Sequence, residues 1–264
     1  MNIEFGGKTA IVTGSTSGIG FAIALGLATS GARVILNGRH AERLDQAVAK
    51  LRGLAPNAEI SGVAADLATA EGAQALLDQA ATTDILVNNM GIFEPQAFGD
   101  ISDADWLRFF ETNVMSGIRV SRHYLPQMIA RNWGRIIFIS SESALNTPPE
   151  MIHYGVTKTA QLAVSRGLAE LTAGTGVTVN AVLPGPTRSE GVGDFFKKMA
   201  DEQGLSQGEM EARFIAEHRP TSLLRRLAEV EEVANMVVYL CSTQASATNG
   251  AAVRVDGGVV KFIA

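Results

Sequence analysis

Tyr154 and Lys158 stand four residues apart in the stretch His153-Tyr154-Gly155-Val156-Thr157-Lys158. On a helix that spacing puts both side chains on one face, one turn apart. A free phenol has a pKa near about 10 and is a poor base at neutral pH. An ammonium held one turn away favours the phenolate, so the pair is a candidate proton donor and acceptor. Taken alone, the same spacing describes an exposed helix face with a partly buried aromatic. What separates the two readings is whether the chain also builds a place for a second reactant.

An upstream turn offers one. Thr13-Gly14-Ser15-Thr16-Ser17-Gly18-Ile19-Gly20 follows an apolar run and opens a helical pattern. Glycines there let the backbone turn tightly and approach a pyrophosphate, and a helix N-terminus presents free N–H groups to it. The spacing is G-x-x-x-G-x-G, wider at the front than the G-x-G-x-x-G fingerprint. At the start of an α/β chain such a turn predicts a bound dinucleotide; the plain alternative is a tight strand-to-helix connection.

The elements that must position these groups are legible as an alternation. Strands are expected at Thr9–Val12, Arg33–Leu36, Glu59–Val63, Ile85–Val87, Arg135–Ile139, Val177–Val182 and Ala252–Val255, all rich in Val and Ile. Helical patterns lie between them at Ile19–Ser30, Ala41–Arg52, Ala70–Ala80, Asp103–Arg131, His153–Ala173 and Glu229–Leu240. Continuously apolar strands alternating with helices predict a parallel sheet covered on both faces, and right-handed crossovers make it doubly wound. The fold class expected is therefore α/β, one dinucleotide-binding domain over residues 1–264. One segment breaks the rhythm: residues 186–220, with Phe195 and Phe196, form a long insertion that reads as a substrate lid or as a surface excursion.

Jointly these motifs resemble the short-chain dehydrogenase/reductase family, and the resemblance runs over nearly the whole chain. Asn88-Asn89-Met90-Gly91 is similar to the family's Asn-Asn-Ala-Gly turn, with Met for Ala. The family's active-site asparagine falls on Asn113, its serine on Ser141, and its Tyr and Lys on Tyr154 and Lys158. Pro184-Gly185, with Thr187 beyond it, matches the segment that holds the nicotinamide, and Val255-Asp256-Gly257-Gly258 matches a C-terminal signature. The resemblance implies a seven-stranded Rossmann-type sheet and hydride transfer between a nicotinamide cofactor and a carbonyl or secondary alcohol. It gives Tyr154 the role of general acid/base, Ser141 that of substrate-oxygen ligand, and Lys158 that of tuning cation and ribose ligand. Asn113 would hold a water linking Lys158 to solvent. Cofactor contacts are implied at Gly14, Ser15, Thr16, Ser17, Gly18, Ile19, Gly20, Asn37, Arg39, Asp66, Leu67, Asn89 and Gly91.

The second strand ends Leu36-Asn37-Gly38-Arg39. A carboxylate there would bind a ribose 2′-OH and repel a 2′-phosphate, whereas a guanidinium suits phosphate. NADP(H) is therefore expected over NAD(H), with a solvated strand-end arginine as the alternative for Arg39. Asp66 is read as an adenine contact or as a cap for the next helix. Phe93, Glu94, Ser143, Leu145, Met151, Phe195 and Phe196 are expected pocket neighbours, and His153 a possible pocket wall.

Composition excludes several classes. The 264 residues carry a net charge of −5, which draws the chain to neither nucleic acid nor an anionic membrane. One cysteine, Cys241, allows no intrachain disulfide, and no Cys/His cluster suggests zinc. No apolar run reaches membrane-spanning length and the N-terminus does not read as a signal peptide, so a cytoplasmic protein is expected. By resemblance a homo-oligomer, tetramer or dimer, is expected through Asp103–Arg131 and His153–Ala173. Three readings compete: an oxidoreductase on a small carbonyl/alcohol substrate (a sugar or a 3-oxoacyl thioester among them), a dinucleotide-sensing regulatory protein, and a lyase or epimerase on the same scaffold.

Overall fold

The computed structural model describes residues 2–190, 192, 193, 200, 201 and 204–263; Phe195 and Phe196 lie outside them. Seven strands form one parallel sheet: β1 (Thr9–Val12), β2 (Arg33–Gly38), β3 (Ile60–Ala64), β4 (Ile85–Asn88), β5 (Gly134–Ile139), β6 (Val177–Pro184) and, at the far edge, β9 (Ala252–Val255). Their order is β3-β2-β1-β4-β5-β6-β9. The order reverses at β1 and β4, and in a doubly wound sheet the crevice for a ligand opens there, beyond the strands' carboxyl ends. Two two-residue strands, β7 (Thr187–Arg188) and β8 (Ala228–Glu229), pair separately.

The strand sequences explain the layering. Side chains alternate faces along a strand. On β1, Ala10 and Val12 enter a core beneath α1 (Gly18–Thr29), α2 (Ala41–Leu54) and the late helix α8 (Val230–Cys241). Ile11 enters a second core beneath α3 (Ala70–Gln79), α5 (Ser116–Ala130) and α6 (Ile152–Glu170). All three are fully buried, so the run has to be apolar throughout. Helix α1 packs so closely on α8 that a Cβ at Gly26 would lie 2.8 Å from Val238 Cγ2.

The expected long helix Asp103–Arg131 is interrupted. It runs as α4 (Asp103–Phe110), one π turn (Glu111–Met115) and α5. The Ser116 N–H reaches back five residues to the Glu111 carbonyl. Such single-turn bulges insert one residue and re-aim side chains, and they recur at functional sites; here the bulge contains Asn113. The 186–220 insertion contains helix α7 (Gln207–His218), closed at its start by a Ser206/Glu209 capping box.

Candidate active site

At the β1–α1 connection, Gly14 adopts φ 58°, and a Cβ there would lie 3.1 Å from the Met90 Cα. Asn89 locks this turn. Its Nδ2 donates to the Thr13 and Gly14 carbonyls at 3.0 and 2.9 Å, and its amide donates to Thr13 Oγ1 at 2.9 Å. Gly20 is closer than Gly14: a Cβ would sit 2.4 Å from Asn89 Nδ2 and 2.6 Å from the Gly14 carbonyl oxygen. Helix α1 then begins without a side-chain cap from Ser17 and without an acidic residue in its first turn. Uncapped N–H groups at the positive end of a helix dipole are what a pyrophosphate needs, so the residues fit a dinucleotide.

Several expected cofactor contacts build the loop instead of facing outward. Ser15 is fully buried, donating to the Val12 carbonyl and accepting from the Asn37 amide. The Asn37 amide group donates to the Val63 and Ala65 carbonyls, both at 3.1 Å. The Leu67 side chain is fully buried in the core. Asp66 accepts from the Ala68 amide at 3.1 Å, closing a local turn, while Thr69 supplies the cap of α3. Arg39 is exposed and forms no ion pair or hydrogen bond among the described residues. A second arginine, which sequence reasoning passed over, lies four residues on: Arg43 Nη2 donates to Ser17 Oγ at 3.2 Å and lies 3.8 Å from Glu190.

Ile19, Asn89, Gly91, Ser141, Tyr154, Lys158, Pro184, Gly185 and Thr187 line one cavity of about 470 Å³. The strand ends bring them there. β6 pairs Pro184 with Val255 of β9, so the Asp256 turn sits under Gly185, where a Cβ would strike the Asp256 carbonyl oxygen at 2.7 Å. Asp256 in turn accepts from the Gly258 and Val260 amides at 3.0 Å.

Tyr154 and Lys158 share one face of α6, with Nζ 5.6 Å from the centre of the phenol ring. Lys158 is buried, and burial pushes its ammonium down to about 7. Burial pushes Tyr154 up to about 12, with a hydrogen bond to Ser141 and the Arg219 charge working against it. In the chain by itself, enclosure outweighs the groups that favour the phenolate. Nζ donates to the Ile139 carbonyl at 2.9 Å and to Gln161 Oε1 at 3.2 Å. Gly91 leaves the amine room, since a Cβ would lie 3.3 Å from Nζ.

Asn113 pins the β4 loop to α6. Its Oδ1 accepts from the Ile92 amide at 2.8 Å, and its Nδ2 donates to the Ile92 carbonyl and to Thr157 Oγ1 at 3.0 and 2.9 Å. Its main-chain carbonyl accepts from Gln161 Nε2 at 2.5 Å. Ser140 and Ser141 divide their work. Ser140 Oγ donates to the Lys158 carbonyl, and Ser141 lines the cavity with its Oγ accepting from the Ser143 amide at 3.1 Å.

The opposite wall holds Phe93, Ser143 and Met151 as expected. Glu94 instead points outward to Arg108 at 2.7 Å, and Leu145 is exposed away from the cavity. Sequence reasoning missed Glu142 and Arg219, both buried and paired at 2.8 Å. Glu150 lies 3.6 Å from the same guanidinium. Burial pushes the Glu142 carboxyl above its ordinary range, with Arg219 pulling the other way. His153 is no pocket wall: it is fully buried against α4, its ring centre 4.0 Å from Phe109, with both ring nitrogens unpartnered among the described residues. Burial holds its pKa down.

Among the described residues no cluster of three or more His, Cys, Asp or Glu suits a metal ion, and no helix is long and apolar enough to cross a membrane. Cys241 is buried and its thiol is pushed up to about 12 by burial, which makes it unreactive.

Comparison with known proteins agrees with this geometry. Residues 8–200 match the family model described as short chain dehydrogenase. The uncharacterized oxidoreductase YvaG of Bacillus subtilis is 50% identical, with 100% of both chains covered. The L-sorbose reductase of Gluconobacter frateurii, solved with NADPH and L-sorbose, is 34% identical with a TM-score of 0.93, again over 100% of both chains. A 7α-hydroxysteroid dehydrogenase solved with NADH is 29% identical with a TM-score of 0.84, covering 100% of this chain and 98% of its own.

Proposed function

The chain belongs to the short-chain dehydrogenase/reductase family, and from that premise we propose that it transfers hydride between NADP(H) and a carbonyl/secondary-alcohol pair, with Tyr154 as general acid/base. The observation that carries the reading is convergence: Ser141, Tyr154 and Lys158 line the same cavity as Ile19, Gly91, Pro184 and Gly185. The α1 N-terminus and the Gly14–Gly20 turn would hold the pyrophosphate, Arg39 and Arg43 the 2′-phosphate, and Pro184 to Thr187 the nicotinamide end. When bound, the cofactor supplies the hydride, and its oxidised ring supplies positive charge.

The chain's own residues manage the oxygen and the proton. Ser141 Oγ donates to the substrate oxygen and fixes it beside the phenol. Tyr154 gives its hydroxyl proton to that oxygen in reduction and takes it back in oxidation. Lys158, as ammonium, favours the phenolate left behind. Because burial, against the Ser141 hydrogen bond and the Arg219 charge, leaves Tyr154 near 12, this cation and the cofactor's charge must together offset the cost of ionising it.

The test is a panel of ketones and aldehydes assayed with NADPH and NADH. Turnover is expected in wild type, and Tyr154→Phe is expected to lower kcat/KM by about 10²–10⁴-fold while leaving NADPH affinity within a factor of a few. Tight NADPH binding with no turnover across the panel would instead assign a dinucleotide sensor. Arg39→Glu is expected to cut NADPH affinity by about 10–100-fold and to spare NADH. We also propose a homo-oligomer, supported by exposed Leu107 and Phe110 on α4 and Phe262 and Ile263 near the C-terminus. Light scattering that gives a monomer mass at micromolar concentration sinks it.

A further inference from the structure

Gln161 makes two hydrogen bonds that no part of the reaction above requires. It lies three residues beyond Lys158 on α6, on the same face, and is buried. Its Oε1 accepts from Lys158 Nζ at 3.2 Å, and its Nε2 donates to the Asn113 main-chain carbonyl at 2.5 Å. The chemistry dictates which way round the amide sits: an ammonium only donates and a carbonyl only accepts, so only a group with both functions bridges them. Water has both functions, and so does a carboxamide. The carboxamide is fixed to the chain, and its position is set by α6 and by the π turn that presents Asn113.

We propose that Gln161 is a positioning residue for the Tyr154/Lys158 chemistry, its side-chain amide a built-in bridge from the Lys158 ammonium to Asn113 that takes the place of a relay water. The proposal rests on the roles given above to Tyr154 and Lys158. The ammonium has three N–H groups. Ile139 on β5 and Gln161 take two of them, which leaves one for the cavity side, where Lys158 forms part of the wall. A lysine side chain otherwise has four rotatable bonds and many positions for its charge. Here two fixed acceptors on different elements hold the charge beneath the phenol.

The bridge also stabilises the charged form. Burial depresses Lys158, and no charged side chain among the described residues contributes to it. The titratable neighbour on its own helix is Tyr154; Glu142 and Arg219, from the opposite wall, act on Tyr154. Ile139 and Asn113 present neutral groups, and the Gly91 loop presents backbone. The Gln161 carbonyl oxygen is therefore one of two dipoles keeping the amine protonated near neutral pH.

The experiment follows the six lysines by NMR, with 13C at the ε carbon, in the protein without cofactor, for wild type, Gln161→Leu and Gln161→Glu. Lys158 in Gln161→Leu is expected to titrate about one pH unit lower than in wild type, the size of one lost hydrogen bond to a charged group. Gln161→Glu keeps an acceptor for the ammonium but loses the donor to Asn113, and its Lys158 is expected to titrate above wild type. The alkaline limb of kcat/KM for carbonyl reduction should move the same way in each variant. A residue that merely fills space would lower activity equally at every pH and leave the limb in place. If Gln161→Leu does not fold, Gln161→Glu carries the test alone. Unchanged Lys158 midpoints, with wild-type turnover intact, overturn the role of Gln161. An absence of carbonyl turnover in wild type overturns the reaction proposed above, and the NMR midpoints still report on the bridge.

Discussion

The two sides of the cavity are built from different materials. On the dinucleotide side the contacts are backbone and small side chains: Gly14 against Met90, Gly20 against Asn89, Gly185 against Asp256. On the other side stands a charge pair taken out of water, Glu142 with Arg219, and the part-exposed Glu150 lies beside the same guanidinium. The first kind of site works by leaving no room for a Cβ, and each requirement falls on one position in the chain. The second works by matching partners far apart in sequence; Glu142 and Arg219 are separated by 77 residues.

This contrast is broken most severely at Arg219. Arg219→Met leaves the Glu142 carboxylate buried and unpaired, and removing one member of a buried pair costs about 3–5 kcal/mol. The pH dependence has a definite sign. The Glu142 pKa is already raised by burial in the folded chain, and losing Arg219 raises it further. A carboxyl raised on folding contributes stability below its unfolded value that is lost as pH rises through the folded one. The variant's melting temperature should therefore fall below wild type by more at pH 8 than at pH 5. Calorimetry at the two pH values checks this; equal deficits would mean that Glu142 is not carrying charge. Adding Glu142→Gln to the variant should recover most of the loss at pH 8.

Gly20 probes the other side. A Cβ there meets Asn89 Nδ2 at 2.4 Å, the Gly14 carbonyl oxygen at 2.6 Å and the Ser15 Cα at 2.9 Å, and two of the three are backbone. Gly20→Ala should destabilise the chain by about 1–3 kcal/mol through overpacking. It should also weaken dinucleotide binding, because the Asn89 lock and the turn carrying the N–H groups must shift together. Thermal unfolding and NADPH titration read the two effects. A stable variant with unchanged affinity would show that the turn has slack.

The same contrast explains what was legible in the sequence. The strand–helix alternation, the Gly14–Gly20 turn and the Tyr154/Lys158 spacing are local patterns, and the structure carries each of them. The π turn at Glu111–Met115 left no trace, because a one-residue bulge keeps the helical periodicity on either side of it. His153 looked like a pocket wall from its place beside Tyr154, yet one residue along a helix turns a side chain by about 100° and takes it to α4 instead. Glu142 read as one more polar residue after Ser141, since its partner arrives only when α7 brings Arg219 across. Gln161 sits amid an apolar helix pattern, and its two partners belong to separate elements.

Gly91 lies where the two sides meet, and it gives the smallest of these effects. A Cβ would fall 3.3 Å from Lys158 Nζ and 3.5 Å from Asn113 Oδ1. The first distance is a few tenths of an ångström tighter than ordinary contact, and the atom it presses is the end of a flexible side chain. The fold therefore has a cheap way to yield: Nζ moves and the backbone stays. Gly91→Ala should leave the melting temperature nearly unchanged and shift the ammonium away from the cavity. Cofactor affinity should then fall by about threefold to tenfold, the equivalent of an overpacking cost of about 1 kcal/mol. Titration with NADPH beside a thermal melt separates the outcomes. A large drop in stability would mean that the Gly91 backbone, rather than the amine, gives way, and the division between a backbone-built side and a charge-built side would not hold at their junction.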